Sequence, residues 1–250
     1  MQSKIIEYQG ALLHYQIGGK EAASVIVLLH GGFGSIADFA PLLPRLQQHY
    51  RVIAIDTRGH GRSTLGTAAL TYAQAADDVR QILRHEGVEK YSLFGFSDGG
   101  TTAYRLGAED KNIEKIITVG AEWHKKHLDG VRPMFEAINS DFVKENLPEQ
   151  LAAYQAANPA PDAEKWAAAL KAMWLDEGAS GYPNENIRRI QAPVLAIRGE
   201  ADFLLAFDDW AELKTELPDV HLMSVPFAAH EAVKEQPEIV WAAVQAFQAA

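Results

Sequence analysis

Residues 90–106 read KYSLFGFSDGGTTAYRL and place a serine between two glycines at the end of an apolar run. The apolar residues before Ser97 predict a buried strand, and the residues after it predict a helix. A serine hydroxyl becomes a useful nucleophile where a base can remove its proton and N–H groups can stabilise the oxyanion that forms. The Gly95-x-Ser97-x-Gly99 spacing permits a sharp strand-to-helix turn, because glycine has no side chain to collide there. We therefore predict that Ser97 is a catalytic nucleophile rather than an ordinary turn serine.

The remainder of the chain alternates short apolar runs with segments of helical character. The apolar runs are rich in β-branched residues, which is typical of parallel strands that are covered on both faces. They occupy residues 24–30, 50–59, 90–96, 113–120, 192–200 and 220–226. A hairpin around Gln9 and Gly10 precedes them. The alternation predicts an α/β protein with a doubly wound sheet.

One helix between these runs is marked at both ends. Thr71 and Gln74 stand at the spacing of a capping box, and Gly87 ends the segment. Apolar residues follow one stripe between them. A second helix is predicted from Pro237 to the C-terminus at Ala250.

The regular alternation stops between Glu122 and about Arg188. This stretch is helix-prone and is broken by prolines at positions 133, 148, 159, 161 and 183. It also carries more aromatic residues than a surface linker tolerates, namely Trp123, Phe135, Phe142, Tyr154, Trp166, Trp174 and Tyr182. We predict a helical lid at residues 122–187, inserted in a core made of residues 1–121 and 188–250.

Composition limits the possible partners. The chain has 250 residues with 33 acidic and 23 basic side chains, a net charge of −10, which argues against nucleic acid as a partner. It contains no cysteine, so a thiolate nucleophile and a zinc–cysteine site are excluded. The start lacks the pattern of a signal peptide, and no apolar run approaches the length of a membrane span. These features predict a soluble cytoplasmic protein with no membrane partner.

Four motifs follow one another in a familiar order. VLLHGGFGS occupies residues 27–35, DTRGHGRS residues 56–63 and GFSDGG residues 95–100, and IRGEAD with AAHE comes near the C-terminus. From about residue 10 to its end, the chain resembles the α/β-hydrolase superfamily of the serine esterase type. Within this superfamily it most resembles the valacyclovir-hydrolase-like, or biphenyl-hydrolase-like, branch. The resemblance implies a mostly parallel eight-stranded sheet with helices on both faces, and site residues in the order Ser, Asp, His.

Two further residues complete the implied triad. His230 follows the last predicted strand by a short loop of small residues, from which its side chain can reach Ser97 and act as the base. Asp202 follows the preceding strand and is expected to orient His230. Glu200 and Glu122 remain alternatives for the acid.

Backbone N–H groups are expected to form the oxyanion hole. One belongs to Asp98, directly after the nucleophile, and the second to Gly32 or Phe33, with Gly32 the first choice. His30 is expected to support this loop. The side chains of Phe33, Asp98 and Trp123 are expected to line the substrate pocket.

No metal or cofactor is predicted. His124 and His127 stand beside Glu122 at a spacing that could provide ligands for a metal ion. However, Lys125 and Lys126 favour a solvated face of the lid. The glycine-rich stretches have neither the spacing of a dinucleotide-binding loop nor a P-loop lysine. Asp56 and Arg58 are expected to hold their own turn together.

The predicted function is hydrolysis of a small carboxylic ester, of the carboxylesterase-like class EC 3.1.1, through an acyl-enzyme on Ser97. The acidic side chain of Asp98 would favour amino-acid esters if a substrate ammonium is its partner. Alternatively, Asp98 caps its helix or pairs with Arg105. A lyase, a perhydrolase, a C–C bond hydrolase or a ligand-binding protein could retain the same motifs.

Overall fold

A computed structural model describes residues 1–249, so only Ala250 of the predicted final helix and core lies outside the described residues. Its sheet has eight strands in the order β1-β2-β4-β3-β5-β6-β7-β8. β1 and β2 are antiparallel to their neighbours, and all other pairs are parallel. The strands are β1 Gln2–Tyr8, β2 Ala11–Gly19, β3 Val25–Leu29, β4 Arg51–Ile55, β5 Tyr91–Phe96, β6 Ile113–Val119, β7 Val194–Gly199 and β8 Val220–Val225. The predicted mostly parallel eight-stranded sheet is confirmed.

The central strands are apolar throughout because both faces of the sheet are covered. In β3, Val25, Val27 and Leu29 join one hydrophobic cluster, while Ile26 and Leu28 join another on the opposite face. Successive side chains of a strand point to opposite faces, so a fully buried strand needs no polar alternation.

Ten α-helices accompany the sheet in the part of the chain that the structure describes. They are α1 Leu43–His49, α2 Tyr72–His85, α3 Asp98–Glu109, α4 Arg132–Ala137, α5 Ser140–Asn146, α6 Pro148–Ala157, α7 Ala163–Trp174, α8 Phe207–Glu216, α9 Ala232–Glu235 and α10 Pro237–Ala249. Short 3₁₀ helices lie at Ile36–Phe39, Lys125–Gly130 and Asn184–Arg189. Within residues 1–249, no helix combines the length and the hydropathy that crossing a bilayer requires.

The helices α4 to α7 lie between β6 and β7 and have a hydrophobic cluster of their own. Trp166, Leu170 and Trp174 are buried there together with Phe33 and Tyr72, which come from outside the segment. The helical insertion therefore shares its core with the loop after β3 and with α2.

Most of the residues that predicted a turn or a helix end from the sequence have the expected backbone conformation or hydrogen bond. Gln9 and Gly10 both have positive φ, 49° and 70°, as expected of a two-residue hairpin turn. The hydroxyl of Thr71 accepts a hydrogen bond from the Gln74 backbone N–H at 3.0 Å. The Gln74 side chain donates to Asp78 instead of completing the capping box. Gly87, with φ of 63°, follows the end of α2.

Candidate active site

Ser97 lies at the sharp turn between β5 and α3. Its backbone has φ 50° and ψ −118°, a strained conformation for a residue other than glycine. A Cβ on Gly95 would collide with the backbone of Gly99, and a Cβ on Gly99 would collide with the backbone of Leu29. The two glycines are therefore required by the close approach of three backbone segments.

A hydrogen-bonded relay connects Ser97 to His230 and Asp202. Ser97 Oγ lies 2.9 Å from His230 Nε2, and His230 Nδ1 lies 2.9 Å and 3.1 Å from the two carboxylate oxygens of Asp202. Asp202 Oδ1 also accepts the backbone N–H groups of Leu204 and Leu205. Because Nδ1 faces a carboxylate, it carries the proton and leaves the Nε2 lone pair facing the serine hydroxyl.

Burial and hydrogen bonding have opposite effects on the pKa of Asp202. Burial alone would raise the pKa of Asp202, but the bond to His230 and the two backbone N–H groups outweigh it and hold the pKa below its usual value. The carboxylate is therefore charged at neutral pH and can stabilise an imidazolium.

The two carboxylates considered as alternatives to Asp202 have other hydrogen-bond partners. Glu200 accepts the backbone N–H of Phe227, and Glu122 contacts His127 Nδ1 at 2.8 Å. Within residues 1–249, neither carboxylate has a hydrogen bond to His230.

Gly120 is a part of this site that sequence reasoning missed. It follows β6 with φ of 60°, and a Cβ there would lie only 2.9 Å from His230 Cε1. The available signal was a glycine directly after the strand IITV, which predicts a close approach.

The loop after β3 is held by His30. Its Nδ1 donates to the Gly31 carbonyl at 2.7 Å, and its Nε2 accepts the Thr57 backbone N–H at 3.0 Å. No hydrogen bond from the backbone N–H of Gly32, Phe33 or Asp98 to another atom of residues 1–249 is found. These three N–H groups are therefore unpaired within the part of the chain that the structure describes.

The side chain of Asp98 has different partners from those expected. Tyr72 donates to Oδ1 at 2.7 Å, and the Trp174 indole N–H lies 2.8 Å from both oxygens. Arg105 instead donates to the carbonyls of Gly181 and Ala179. Capping of α3 and pairing with Arg105 were therefore both wrong expectations, because α2 and α7 supply closer donors.

Burial raises the pKa of Asp98, and the bonds from Tyr72 and Trp174 only partly oppose this effect. Within residues 1–249, no salt bridge joins this carboxylate to a lysine or an arginine. A desolvated carboxylate without a cation is costly, and a bound cation would stabilise it.

Ser97, His230 and Asp98 line a cavity of about 520 Å³. Phe33 also lines it, with its ring edge against Trp166 and Trp174. The acidic residues on its wall are Asp38, Asp98, Glu122, Glu231 and Glu235. Among the described lining residues the only lysine or arginine is Lys234, whose amine lies 2.8 Å from Asp38 and 2.7 Å from Glu231. The cavity therefore has an excess of negative charge.

Trp123 does not line this cavity. Its side chain is only 1% exposed, belongs to the cluster on one face of the sheet, and donates its indole N–H to the Asp209 carbonyl. The expectation that it forms part of the pocket was wrong, because the chain after Gly120 carries Trp123 down between β6 and α8.

The residues with the best metal-binding geometry are Glu122, His127 and Asp209, whose ligand atoms lie within 4.8 Å of one another. His124 contacts Glu185 instead. Contrary to the expected solvated face, His127 is buried, and both ring nitrogens face carboxylates. Burial would lower the pKa of His127, but these carboxylates raise it above its usual value, which favours an imidazolium over a metal ligand.

Comparison with known proteins assigns the chain to a class. Residues 24–142 match the family model described as the alpha/beta hydrolase fold. The chain is 30% identical over 213 residues to the serine hydrolase BPHL of Homo sapiens, an alignment that covers 80% of this chain and 70% of that protein. The chain belongs to the α/β-hydrolase superfamily, and its resemblance to the biphenyl-hydrolase-like branch is confirmed.

Two other similar proteins are enol-lactonases. The chain is 29% identical to 3-oxoadipate enol-lactonase 1 of Acinetobacter baylyi, over 94% of this chain and 92% of that protein. The crystal structure of the enol-lactonase from Burkholderia xenovorans superposes with a TM-score of 0.77 at 23% identity, covering 99% of this chain and 100% of that one. At this identity the structural likeness supports the fold alone.

Proposed function

We propose that this protein is a serine hydrolase that cleaves a small carboxylic ester through an acyl-enzyme on Ser97. The observation that carries the proposal is the relay from Ser97 through His230 to Asp202 at the wall of a cavity. His230 takes the serine proton during attack and returns it to the leaving alcohol, and water then repeats the sequence on the acyl-enzyme. Asp202 keeps the imidazole in the required tautomer and stabilises its charged form.

Two backbone N–H groups stabilise the oxyanion in this mechanism. One is that of Asp98, at the start of α3, where the helix dipole also favours negative charge. The other comes from the turn at Gly32 and Phe33, with Gly32 the first choice. We also propose residues 122–187 as the lid, because the cavity is bounded by Val131, Phe135 and Trp174 from that segment.

The charges of the cavity limit the substrate. The enol-lactonase relative is named for 3-oxoadipate, a dicarboxylate, whereas here the only lysine among the described lining residues is already paired with Asp38 and Glu231. We therefore propose a neutral or cationic ester rather than an anionic one. Asp98 is held by Tyr72 and Trp174 and has no lysine or arginine partner within residues 1–249, which supports a preference for amino-acid esters.

Turnover of short p-nitrophenyl esters tests the proposed activity. Ser97→Ala is expected to lower kcat by about 10⁶-fold, the size of the loss when the serine of such a triad is removed. Ser224→Ala, which changes an exposed serine in β8, is the matched control and should retain the wild-type rate.

Labelling with a fluorophosphonate separates the competing functions. Rapid labelling of Ser97 together with ester turnover supports the proposal. Rapid labelling without turnover of any ester would favour the lyase, perhydrolase or C–C hydrolase alternative. Turnover that is unchanged in Ser97→Ala would contradict the proposed nucleophile.

A further inference from the structure

A second chain of serine, histidine and aspartate lies at the opposite end of the sheet order from β8. Ser3 Oγ lies 2.6 Å from His14 Nε2, and His14 Nδ1 lies 2.8 Å from Asp56 Oδ2. Ser3 belongs to β1 and His14 to β2, while Asp56 directly follows β4. The connectivity through the two ring nitrogens is the same as in the relay at Ser97.

The hydrogen bonds and the burial of Asp56 determine which ring nitrogen of His14 carries the proton. Its carboxylate accepts the backbone N–H groups of Ile36 and Arg62, and it is buried. Burial would raise the pKa of Asp56, but the bond from His14 and the backbone donors outweigh it and lower the pKa. A charged Asp56 draws the Nδ1 proton of His14, so the Nε2 lone pair faces Ser3 and accepts its hydroxyl proton.

Accessibility distinguishes the three residues. His14 is 1% exposed and Asp56 is 3% exposed, so the base and its orienting acid are fixed in the protein interior. Ser3 is exposed, on an edge strand that pairs within the sheet only with β2. A reagent from solution can therefore reach the hydroxyl, while the base behind it is held in place.

We propose that Ser3 is a second acylation site, which reacts with activated acyl donors such as thioesters and aryl esters. Ser3 Oγ attacks the acyl carbonyl, its proton passes to His14 Nε2, and the bond to the leaving group breaks. The proton then passes from His14 to the departing thiol or phenol, which leaves an O-acyl serine.

The position of Ser3 limits this reaction to one acyl group for each chain. Ser3 lies within a regular strand and not at the start of a helix, so it lacks the helix N-terminal N–H groups that follow Ser97. Each missing oxyanion donor costs about 10²- to 10³-fold in rate, so only a donor with a good leaving group reacts. The acyl group then persists, because hydrolysis of its ordinary ester needs the same missing stabilisation.

Acetylation by p-nitrophenyl acetate tests this site in the Ser97→Ala variant, where the proposed active-site nucleophile is absent. We expect Ser3 to be acetylated about 10²-fold faster than Ser224, the typical minimum effect of a positioned general base. Ser224 is the matched control because it is an exposed serine on the other edge strand, and no hydrogen bond of its hydroxyl to residues 1–249 is found. Peptide fragmentation separates acetyl-Ser3 from acetylation of the Met1 amine and of Lys4. Equal rates at the two serines would overturn the proposal.

The absence of cysteine from the chain permits a second test that leaves His14 and Asp56 untouched. In the Ser3→Cys variant a thiol takes the place of the hydroxyl next to His14, and in Ser224→Cys it has no such neighbour. Alkylation by iodoacetamide at pH 7 is expected to be about tenfold faster in Ser3→Cys, because a neighbouring histidine favours the thiolate. Equal alkylation rates would show that His14 does not activate this position. Both results are independent of whether Ser97 is a nucleophile.

Discussion

The backbone N–H and the side chain of Asp98 have different surroundings. The N–H has no acceptor among residues 1–249, whereas the carboxylate is held by Tyr72 and Trp174 on the cavity wall. A change confined to the side chain can therefore alter substrate preference while leaving the proposed oxyanion donor in place.

We expect Asp98→Asn to remove a preference for amino-acid esters. A hydrogen bond to a charged group contributes about 1.5–3 kcal/mol, so the ratio of kcat/KM for an amino-acid ester to that for its des-amino analogue should fall about 10- to 100-fold. The des-amino ester is the internal control and should be hydrolysed at a similar rate by both proteins. A ratio that is the same in wild type and variant would exclude the substrate role of Asp98.

The pKa of Asp98 adds a pH dependence to the same measurement. Because burial raises this pKa, the carboxylate becomes protonated at a higher pH than an ordinary aspartate does. The preference for the amino-acid ester should therefore decline as the pH falls through this raised pKa. Asp98→Asn should show no such decline.

At the scale of the elements, the 3₁₀ helix Lys125–Gly130 joins the insertion to the core through a buried histidine. His127 contacts Glu122 at the end of β6 and faces Asp209 and Glu212 of α8. Its imidazole is 2% exposed, so these contacts are more shielded from solvent than the surface ion pairs of the helical insertion are.

We expect this contact to stabilise the fold at acidic to neutral pH and to weaken at alkaline pH. The pKa of His127 is raised in the folded protein, so its contribution is fully present below the unfolded value of about 6.5 and is lost as the pH rises through the folded value. The difference in Tm between wild type and His127→Gln should therefore shrink as the pH is raised, by about 2–4 °C for each kcal/mol lost.

His221→Gln is the control for this experiment, since the side chain of His221 is 61% exposed, lies 3.8 Å from Asp219 and has the ring of Phe247 at 5.8 Å between centroids. Its Tm should follow the wild type at every pH. A difference for His127→Gln that stays constant or grows with pH would show that His127 is neutral in the folded protein.

At the scale of the whole molecule, the net charge of −10 and the acidic cavity act in the same direction. Both attract a cationic ester from solution, and salt screens this attraction because the Debye length falls from about 30 Å at 0.01 M to about 8 Å at 0.15 M. We expect kcat/KM for a cationic ester to fall several-fold over this range while that for a neutral ester of the same size changes little. An equal response of the two esters would contradict electrostatic attraction of the substrate.

The sequence by itself determined the sheet, the turn at Ser97 and the order of the motifs. These features follow from local patterns: the apolar runs of β3 to β7 need cover on both faces, and Gly95 and Gly99 permit one tight bend. The resemblance built on these motifs led to the superfamily, which the comparisons confirmed. The catalytic roles of Ser97, Asp202 and His230 stay predictions, and Ser97→Ala tests the first of them.

Only the tertiary structure decided which distant groups meet. It placed Asp202 rather than Glu200 against His230, buried Trp123 away from the cavity, and gave Asp98 two partners from α2 and α7. It also aligned Ser3 of β1, His14 of β2 and Asp56, which directly follows β4. The physical reason is that residue type and spacing set the local backbone, whereas contacts between distant residues depend on the register of the strands and the packing of helices against the sheet.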